Sequence, residues 1–445
     1  MKKLLVALCA LALVCAFAMP AGATDVKMSG EYYVQGYYSA NSGLLDNAAT
    51  SHAWFNQRLR MSTIFQVSKA VKFTTRYDIM ESYWGGSDLY IDKDGVNRNL
   101  GTPGAANYRD DANISFDFGY LTFLTKCGKF DVGYMSDGVY GTEFGNAEVA
   151  LPKIGWSMPI GKFYNVFQYK HWGERDVVSG NNESDEDYAR YMDILFYFAK
   201  TWQAGFLYQY NIDATQSGVG VPQGYKTNFH VIIPYVKATM GNLYIESELS
   251  WIDGELRAWE DPNALGLQDI DMKGLAFYLK GKFNLGKGYI GGLFAYTKGN
   301  DISDATEVYV SSGGADWNPM LILWNKDYSD WNANNLGANT ASGGTGNAMG
   351  NATLYQIFGG FNLRKNLDIF ASISMAKADE NSVAGQIDDD YGTEFDLKAT
   401  YKMFDNLEYM VGFGYFWAGD WYKGANAAQE IDNEYILFHK LTLKF

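Results

Sequence analysis

Cysteine is nearly absent from this sequence, which limits how the fold can be held together. Only three cysteines occur in 445 residues. Two of them lie in the first 23 residues, where a Lys-Lys pair, an apolar run from Leu4 to Met19 and the small residues Ala21-Gly22-Ala23 predict a secretory signal peptide over 1–23. Because Cys127 alone would remain, we expect no intramolecular disulfide in the exported chain.

Long apolar runs and clustered histidines are also missing. After residue 23 no segment approaches the roughly 18 consecutive apolar residues of a membrane helix. The four histidines lie far apart, and no metal-ligand spacing or Ser-His-Asp grouping is present. We therefore expect no enzyme. With 36 basic against 51 acidic residues the chain is acidic, and we expect no nucleic-acid partner.

Alternation of apolar and polar residues is what the sequence has instead, and it is most regular in residues 434–445. A period of two places alternate side chains on opposite faces of a strand. This stretch predicts the closing strand of a transmembrane antiparallel β-barrel, with Phe445 completing the closure. Its apolar face consists of Tyr435, Leu437, His439, Leu441, Leu443 and Phe445.

The same alternation recurs along residues 24–445 and predicts a single all-β barrel without a second domain. Counting hairpins gives about 18 strands, with 16 as the nearest alternative, and barrels of that size enclose an aqueous lumen. Tight turns alternate with long connections, an asymmetry that predicts short periplasmic turns and long external loops. The tight turns are 127–129, 161–162, 241–242, 285–288, 365–366 and 405–406.

The longest connection, residues 302–352, exceeds an ordinary hairpin loop. We expect it either to fold partly over the mouth of the barrel or to be mobile. The side chains able to pack there are Trp317, Leu321, Ile322, Leu323 and Trp324.

Three arginines fall on the predicted inward face of the second and third strands. If the intervening turn is centred on Lys69, Arg60 lies opposite Asp78, and Arg76 lies near it on the same wall. Arginine remains charged at any relevant pH, so Arg58, Arg60 and Arg76 predict a basic patch on one wall of the lumen. Ordinary solvated charges without a special role are an equal alternative.

The segment that follows, residues 128–145, contains Gly-x-Phe-Asp-x-Gly, then Tyr140 and Glu143-Phe144-Gly145. It resembles the fifth strand and third loop of the general trimeric porins of bacteria. The resemblance implies that residues 136–152 fold into the barrel and form its constriction. It also implies that acidic residues of this loop face the arginine cluster. Those acids are Asp137, Glu143 and Glu148.

A second resemblance covers residues 392–397 and 415–420, which read Gly-Thr-Glu-Phe-Asp-Leu and Tyr-Phe-Trp-Ala-Gly-Asp. They are similar to the homotrimeric porins of sulfate-reducing bacteria and, more loosely, to alginate-export-like channels. This resemblance implies a homotrimer in the outer membrane, in contact with lipid and lipopolysaccharide.

Together these observations predict an outer-membrane porin, a water-filled channel for passive diffusion of small hydrophilic solutes and ions. A substrate-selective channel, for example for an acidic oligosaccharide or an anion, is the alternative if the long loops plug the lumen. A barrel-borne enzyme or adhesin is a more distant one. No cofactor is expected; Asp92, Asp94 and Asn97 are weak candidates for calcium ligands in an external loop, where a plain Asp-Gly turn is the simpler interpretation.

Overall fold

A computed structural model describes residues 25–46, 51–84, 90–91, 97–98, 114–173, 188–217, 224–260, 266–332, 336–338, 340–345 and 348–445. The predicted signal peptide, residues 1–23, lies outside the described residues.

Eighteen long strands form one closed antiparallel barrel in the described part of the chain, which confirms 18 rather than 16. The first and last strands pair from Glu31 with Lys444 to Ala40 with Tyr435 and so close the wall. The strands are β1 (Asp25–Ala40), β2 (His52–Gln66), β3 (Val71–Tyr83), β4 (Ile114–Thr125), β5 (Gly128–Ser136), β6 (Ala150–Ile160), β7 (Phe163–Gly173), β8 (Tyr188–Phe198), β9 (Trp202–Asp213), β10 (Tyr225–Met240), β11 (Leu243–Trp259), β12 (Ile270–Leu285), β13 (Gly288–Thr297), β14 (Ala352–Arg364), β15 (Leu367–Ala378), β16 (Asp390–Phe404), β17 (Leu407–Ala418) and β18 (Glu434–Lys444).

The wall is apolar on its outside, and its buried charged side chains lie on the inside, the reverse of a soluble sandwich. Leu397, Val411 and Leu437 point outward and are 41%, 44% and 47% exposed. Their strand neighbours Glu394 and Asp396 point inward and are each 1% exposed. The period-two pattern of the sequence therefore sets the two faces of the wall.

Eight short turns lie on one rim, and the nine longer connections lie on the other. Several turns use a glycine with positive φ, which an L side chain rarely adopts. Gly161, Gly241 and Gly286 have φ of 62°, 61° and 69°. Phe445 lies on the short-turn rim, where its N–H and C=O exchange hydrogen bonds of 3.0 and 2.7 Å with Gly30.

Two of the long connections enter the lumen. Loop L3 (residues 137–149) joins β5 to β6, and loop L7 (residues 298–351) joins β13 to β14. L7 contains a short strand, Glu307–Tyr309, that pairs in parallel with Asp271–Lys273 of β12, and helix α1 (Lys326–Asn332). No helix of the described residues is long and apolar enough to cross a membrane.

The main hydrophobic core lies inside the barrel, between L7 and the inward face of the wall. The side chains predicted to pack are buried there: Trp317, Leu321, Ile322, Leu323 and Trp324 are 4%, 7%, 1%, 1% and 2% exposed. They join inward-facing residues such as Tyr278, Phe416 and Phe438 in one cluster. L7 therefore packs within the lumen and not only over the mouth.

Candidate functional site

The three arginines lie on the inward face of β2 and β3, in the register that a turn centred on Lys69 requires. Arg60 pairs with Asp78, and Arg76 pairs with Ser62. Arg60 donates two hydrogen bonds to the Asp78 carboxylate, at 2.8 and 2.7 Å. Such a two-point contact between guanidinium and carboxylate fixes both groups in one plane.

A further acid, Asp117, completes this cluster. Its carboxylate lies 2.8 Å from Arg76 and 3.3 Å from Arg60, and Asp117 is 5% exposed. It sits where the register between β3 and β4 shifts, so that β4 has one residue more than β3 at this point. Sequence analysis missed Asp117 because strict alternation does not place it on the inward face.

L3 reaches the arginine cluster through Glu148. The Glu148 carboxylate lies 2.7 Å from Arg76, and the Glu148 N–H donates to Asp316 of L7. Burial favours the neutral acid, but hydrogen bonding and charge attraction from Arg76 outweigh it and lower the pKa of Glu148. L3 and L7 therefore meet beside the arginines, with acids and bases paired.

Glu143, the predicted acidic tip, contacts a different wall. Its carboxylate accepts hydrogen bonds from Lys280 at 2.7 Å and from the Tyr278 hydroxyl at 2.9 Å, both on β12. Of the three acids predicted to face the arginines, Glu148 alone contacts one of them in the described residues. L3 thus spans the lumen and pairs with bases on two walls.

Glu248 of β11 anchors the middle of L3, and sequence analysis did not single it out. Its carboxylate accepts the Thr142 N–H at 2.6 Å and the Thr142 hydroxyl at 3.0 Å. A methyl group added at Gly141 or Gly145 would overlap the same carboxylate, and Gly141 has φ of 72°. The two glycines let the backbone of L3 wrap closely around this acid.

The start of L3 is held by two buried lysines. Asp137 lies 2.6 Å from Lys153 of β6 and 2.7 Å from Lys170 of β7, whose side chains are 1% and 0% exposed. Although burial acts in the opposite direction, the charges of Lys170 and Lys153 lower the pKa of Asp137. The predicted site residue Asp137 thus fixes the loop at its base.

L7 is anchored to the wall by two further buried acids. Glu394 of β16 accepts the backbone N–H groups of Leu321, Ile322 and Leu323 at 2.9, 2.8 and 2.9 Å. Glu434 of β18 accepts the hydroxyl of Tyr328 in α1. Both acids looked like ordinary inward charges in the sequence, because their partners are 71 or more residues away.

Between L3 and β10–β12 the lumen retains a polar cavity of about 440 Å³. Charges of both signs line it, so that a solute there meets acids and bases across a short distance. The charged lining residues are Glu143, Lys237, Glu246, Lys280 and Lys282.

Two of the three predicted calcium ligands lie outside the described residues, so that site stays a prediction. Asp92 and Asp94 lie outside the described residues, and Asn97 belongs to a two-residue strand that pairs with Tyr90–Ile91. Among the described residues, no group of three or more His, Cys, Asp or Glu side chains is arranged to hold a metal ion.

Comparison with known proteins gives a likeness of fold. No family model matches the chain, and no curated protein matches it in sequence. The crystal structure of Acinetobacter baumannii OccAB1 aligns with 95% of this chain and 97% of its own, at 11% identity and a TM-score of 0.53. Pseudomonas aeruginosa OccK9 (OpdG) aligns with 94% and 99%, at 10% identity and a TM-score of 0.51.

An anion-selective porin from Comamonas acidovorans aligns with 95% of this chain and 100% of its own, at 12% identity. The TM-score of this alignment is 0.44. At such identities the likeness shows the barrel fold alone. None of these structures bears on the resemblance to porins of sulfate-reducing bacteria, which has no support outside the sequence.

Proposed function

We propose that this chain is an outer-membrane channel through which small hydrophilic solutes and ions diffuse passively. The observation that carries the proposal is a closed barrel with an apolar outside, a charged inside and two loops that narrow the lumen. A lipid bilayer is the environment that covers such an exterior, and a closed barrel satisfies every backbone hydrogen bond there. The fold shared with OccAB1 and OccK9 (OpdG) supports the same architecture.

The paired charges around L3 give the channel its selectivity. The arginines Arg58, Arg60 and Arg76 lie on one wall, where Glu148 of L3 contacts Arg76, and on β12 Lys280 contacts Glu143 of the same loop. Charges of opposite sign across a narrow aqueous passage orient water and polar solutes and disfavour apolar ones. Passive diffusion needs no catalyst, and we propose none.

A substrate-selective channel is the second candidate, and the position of L7 favours it. L7 packs into the lumen against β12–β18 and leaves a polar cavity beside L3, whose charged lining is three lysines and two glutamates. Lysines in a confined cavity attract carboxylate or other anionic groups. An acidic oligosaccharide or a small organic anion is the class of solute that this arrangement would select.

Purified protein in a planar lipid bilayer separates the two candidates. A diffusion channel gives an ohmic current that no single solute blocks at millimolar concentration. A selective channel shows saturable block by one class of anion, which Lys280→Gln and Lys282→Gln together weaken. A protein that inserts into the bilayer and carries no current contradicts both.

The lipid and protein partners of the channel are also proposals. We propose that the barrel contacts lipid and lipopolysaccharide, with the long connections external, and assembles as a homotrimer, as the porin resemblance implies. The narrower likeness to porins of sulfate-reducing bacteria remains a resemblance of the sequence, and calcium in the external loops remains a prediction.

A further inference from the structure

The outward face of the barrel has one acidic side chain in the middle of its apolar band. Asp193 is exposed at the centre of β8, five residues from each end of the strand, which is ~17 Å along the chain. Its partners in register are Phe167 and Tyr208. In the rest of the described wall, outward acids lie farther from the short-turn rim; Asp253, for example, is ten residues from the short-turn end of β11.

Asp193 belongs to a row of polar side chains that runs around the outward face of four adjacent strands. Asn165 of β7 donates a hydrogen bond of 2.6 Å to the Asp193 carboxylate. Tyr208 of β9 lies directly opposite Asp193, and its hydroxyl shares a hydrogen bond of 2.8 Å with His230 of β10. We call Asn165, Asp193, Tyr208 and His230 the outer polar row.

Hydrocarbon chains offer no hydrogen bond to this row. An ionised carboxylate accepts about four hydrogen bonds, and among the described residues Asn165 alone donates to Asp193. A charge on the lipid face of a barrel is costly near the middle of the bilayer and cheap near its surfaces. Lipid headgroups lie too far along the strand to reach Asp193, so protein is the partner that can satisfy it.

We propose that the outward face of β7–β10 binds a second copy of this chain through the outer polar row. The row carries both donors and acceptors: an amide, a carboxylate, a phenol and an imidazole. A copy brings the same set, so the donors of one row can meet the acceptors of the next copy's row around a two-fold or a threefold axis. Between proteins in lipid, polar contacts and close packing drive association, because the hydrophobic effect does not.

Exposed aromatic side chains flank the row and supply the packing surface. Phe206 is 47% exposed, Tyr191 is 39% and Phe167 is 36%. The inward side of the same wall holds Met192, Ile194 and Leu207, which pack with Tyr140 of L3. The proposed interface on the outside of the wall therefore lies directly behind the contact of L3 with its inside.

Disulfide cross-linking in intact outer membranes tests the proposal. With Cys127 replaced by Ser, Tyr208→Cys should give a cross-linked species of twice the mass at ten or more times the yield of Val411→Cys. Val411 is the matched control, because it points outward from β17 and its exposure, 44%, is close to the 39% of Tyr208. Equal yields from the two sites would overturn the proposal, and so would a cross-linked species whose mass requires a different protein.

A second variant tests the role of Asp193. Asp193→Leu, made with Tyr208→Cys, should lower the cross-linking yield at least tenfold, while Asp193→Asn keeps part of it. An unchanged yield with Asp193→Leu would remove the row from the interface. The inference rests on the proposed membrane location. Conductance recorded on the same samples separates failure of the proposed channel from failure of the proposed interface. A barrel that cross-links without conducting contradicts the channel function but supports the interface.

Discussion

Replacement of Glu394 by leucine should weaken the docking of L7 on the barrel wall. The change keeps a side chain of similar size and removes the acceptor of three backbone N–H groups, those of Leu321, Ile322 and Leu323. Glu394 is 1% exposed, so water does not replace the lost acceptor while the loop stays docked. The perturbation therefore acts on the docked state of the loop.

The loss of docking free energy depends on how many backbone N–H groups are left without an acceptor. A buried N–H without a partner costs about 1–3 kcal/mol, and three such groups cost about 3 kcal/mol at the least. Burial of a Leu or Ile side chain stabilises the docked loop by about 1.5–3 kcal/mol, and Ile322 and Leu323 keep that contribution. We therefore expect the loop to remain mostly docked, while the ratio of detached to docked molecules rises about 100-fold, since ~1.4 kcal/mol is tenfold.

Cysteine accessibility measures that ratio directly. In a Cys127→Ser background, Met320→Cys places a thiol at a site that is 3% exposed in the docked loop. Its reaction rate with a water-soluble maleimide should rise about 100-fold with Glu394→Leu. Glu394→Gln should give a smaller rise, because its amide oxygen can still accept the N–H groups of Leu321 and Ile322.

Asp131→Leu is the control for the effect of removing a carboxylate from the inward face of the wall. Asp131→Leu removes another inward carboxylate, on β5, whose partners are Thr122 and Lys129 and not L7, and should leave the rate unchanged. If Glu394→Leu alters the maleimide rate by less than threefold, the carboxylate does not hold the loop, and the apolar contacts alone keep it docked.

Three further predictions concern charge, pH and closure. Arg58→Glu with Arg60→Glu should shift the zero-current potential under a salt gradient toward cation preference; an unchanged potential would place both residues away from the waist. The ion pairs of Asp137 with its two lysines stabilise L3 and lower the pKa of Asp137. That stabilisation is fully present at pH values above the ordinary carboxyl range, and it is lost as pH falls through the lowered pKa. Asp137→Asn should therefore lower thermal stability by the same amount from pH 5 to pH 7, and the difference from wild type should shrink as pH falls below the ordinary carboxyl range. Deletion of Phe445 removes two hydrogen bonds to Gly30 and should reduce the amount of folded barrel in outer membranes, whereas Phe445→Tyr should not.

Much of the wall could be predicted from the sequence. The alternation of Leu397 with Lys398 or of Val411 with Gly412 sets which face each side chain takes, since a strand has a period of two whatever its neighbours. The tight turns at 161–162 and 405–406 are confirmed, and the turn around Lys69 sets the pairing of Arg60 with Asp78. These features depend on residues close together in the chain.

The partners of the loops could not be predicted, because they depend on contacts between distant segments. Thr142 of L3 and Glu248 are 106 residues apart, and Leu321 and Glu394 are 73 apart. Glu248 and Glu394 carry the same pattern as any inward acid of the wall. The resemblance placed Glu143 against arginines, whereas in the structure it contacts Lys280 on the opposite side of L3.

The sequence by itself determined a two-faced barrel of 16 or 18 strands, because hydrophobic alternation and turn chemistry are local properties. Only the tertiary structure decided how the lumen is narrowed. A closed wall brings inward acids of distant strands within reach of the same loop, and a buried acid holds whichever N–H or cationic group the closed geometry presents to it.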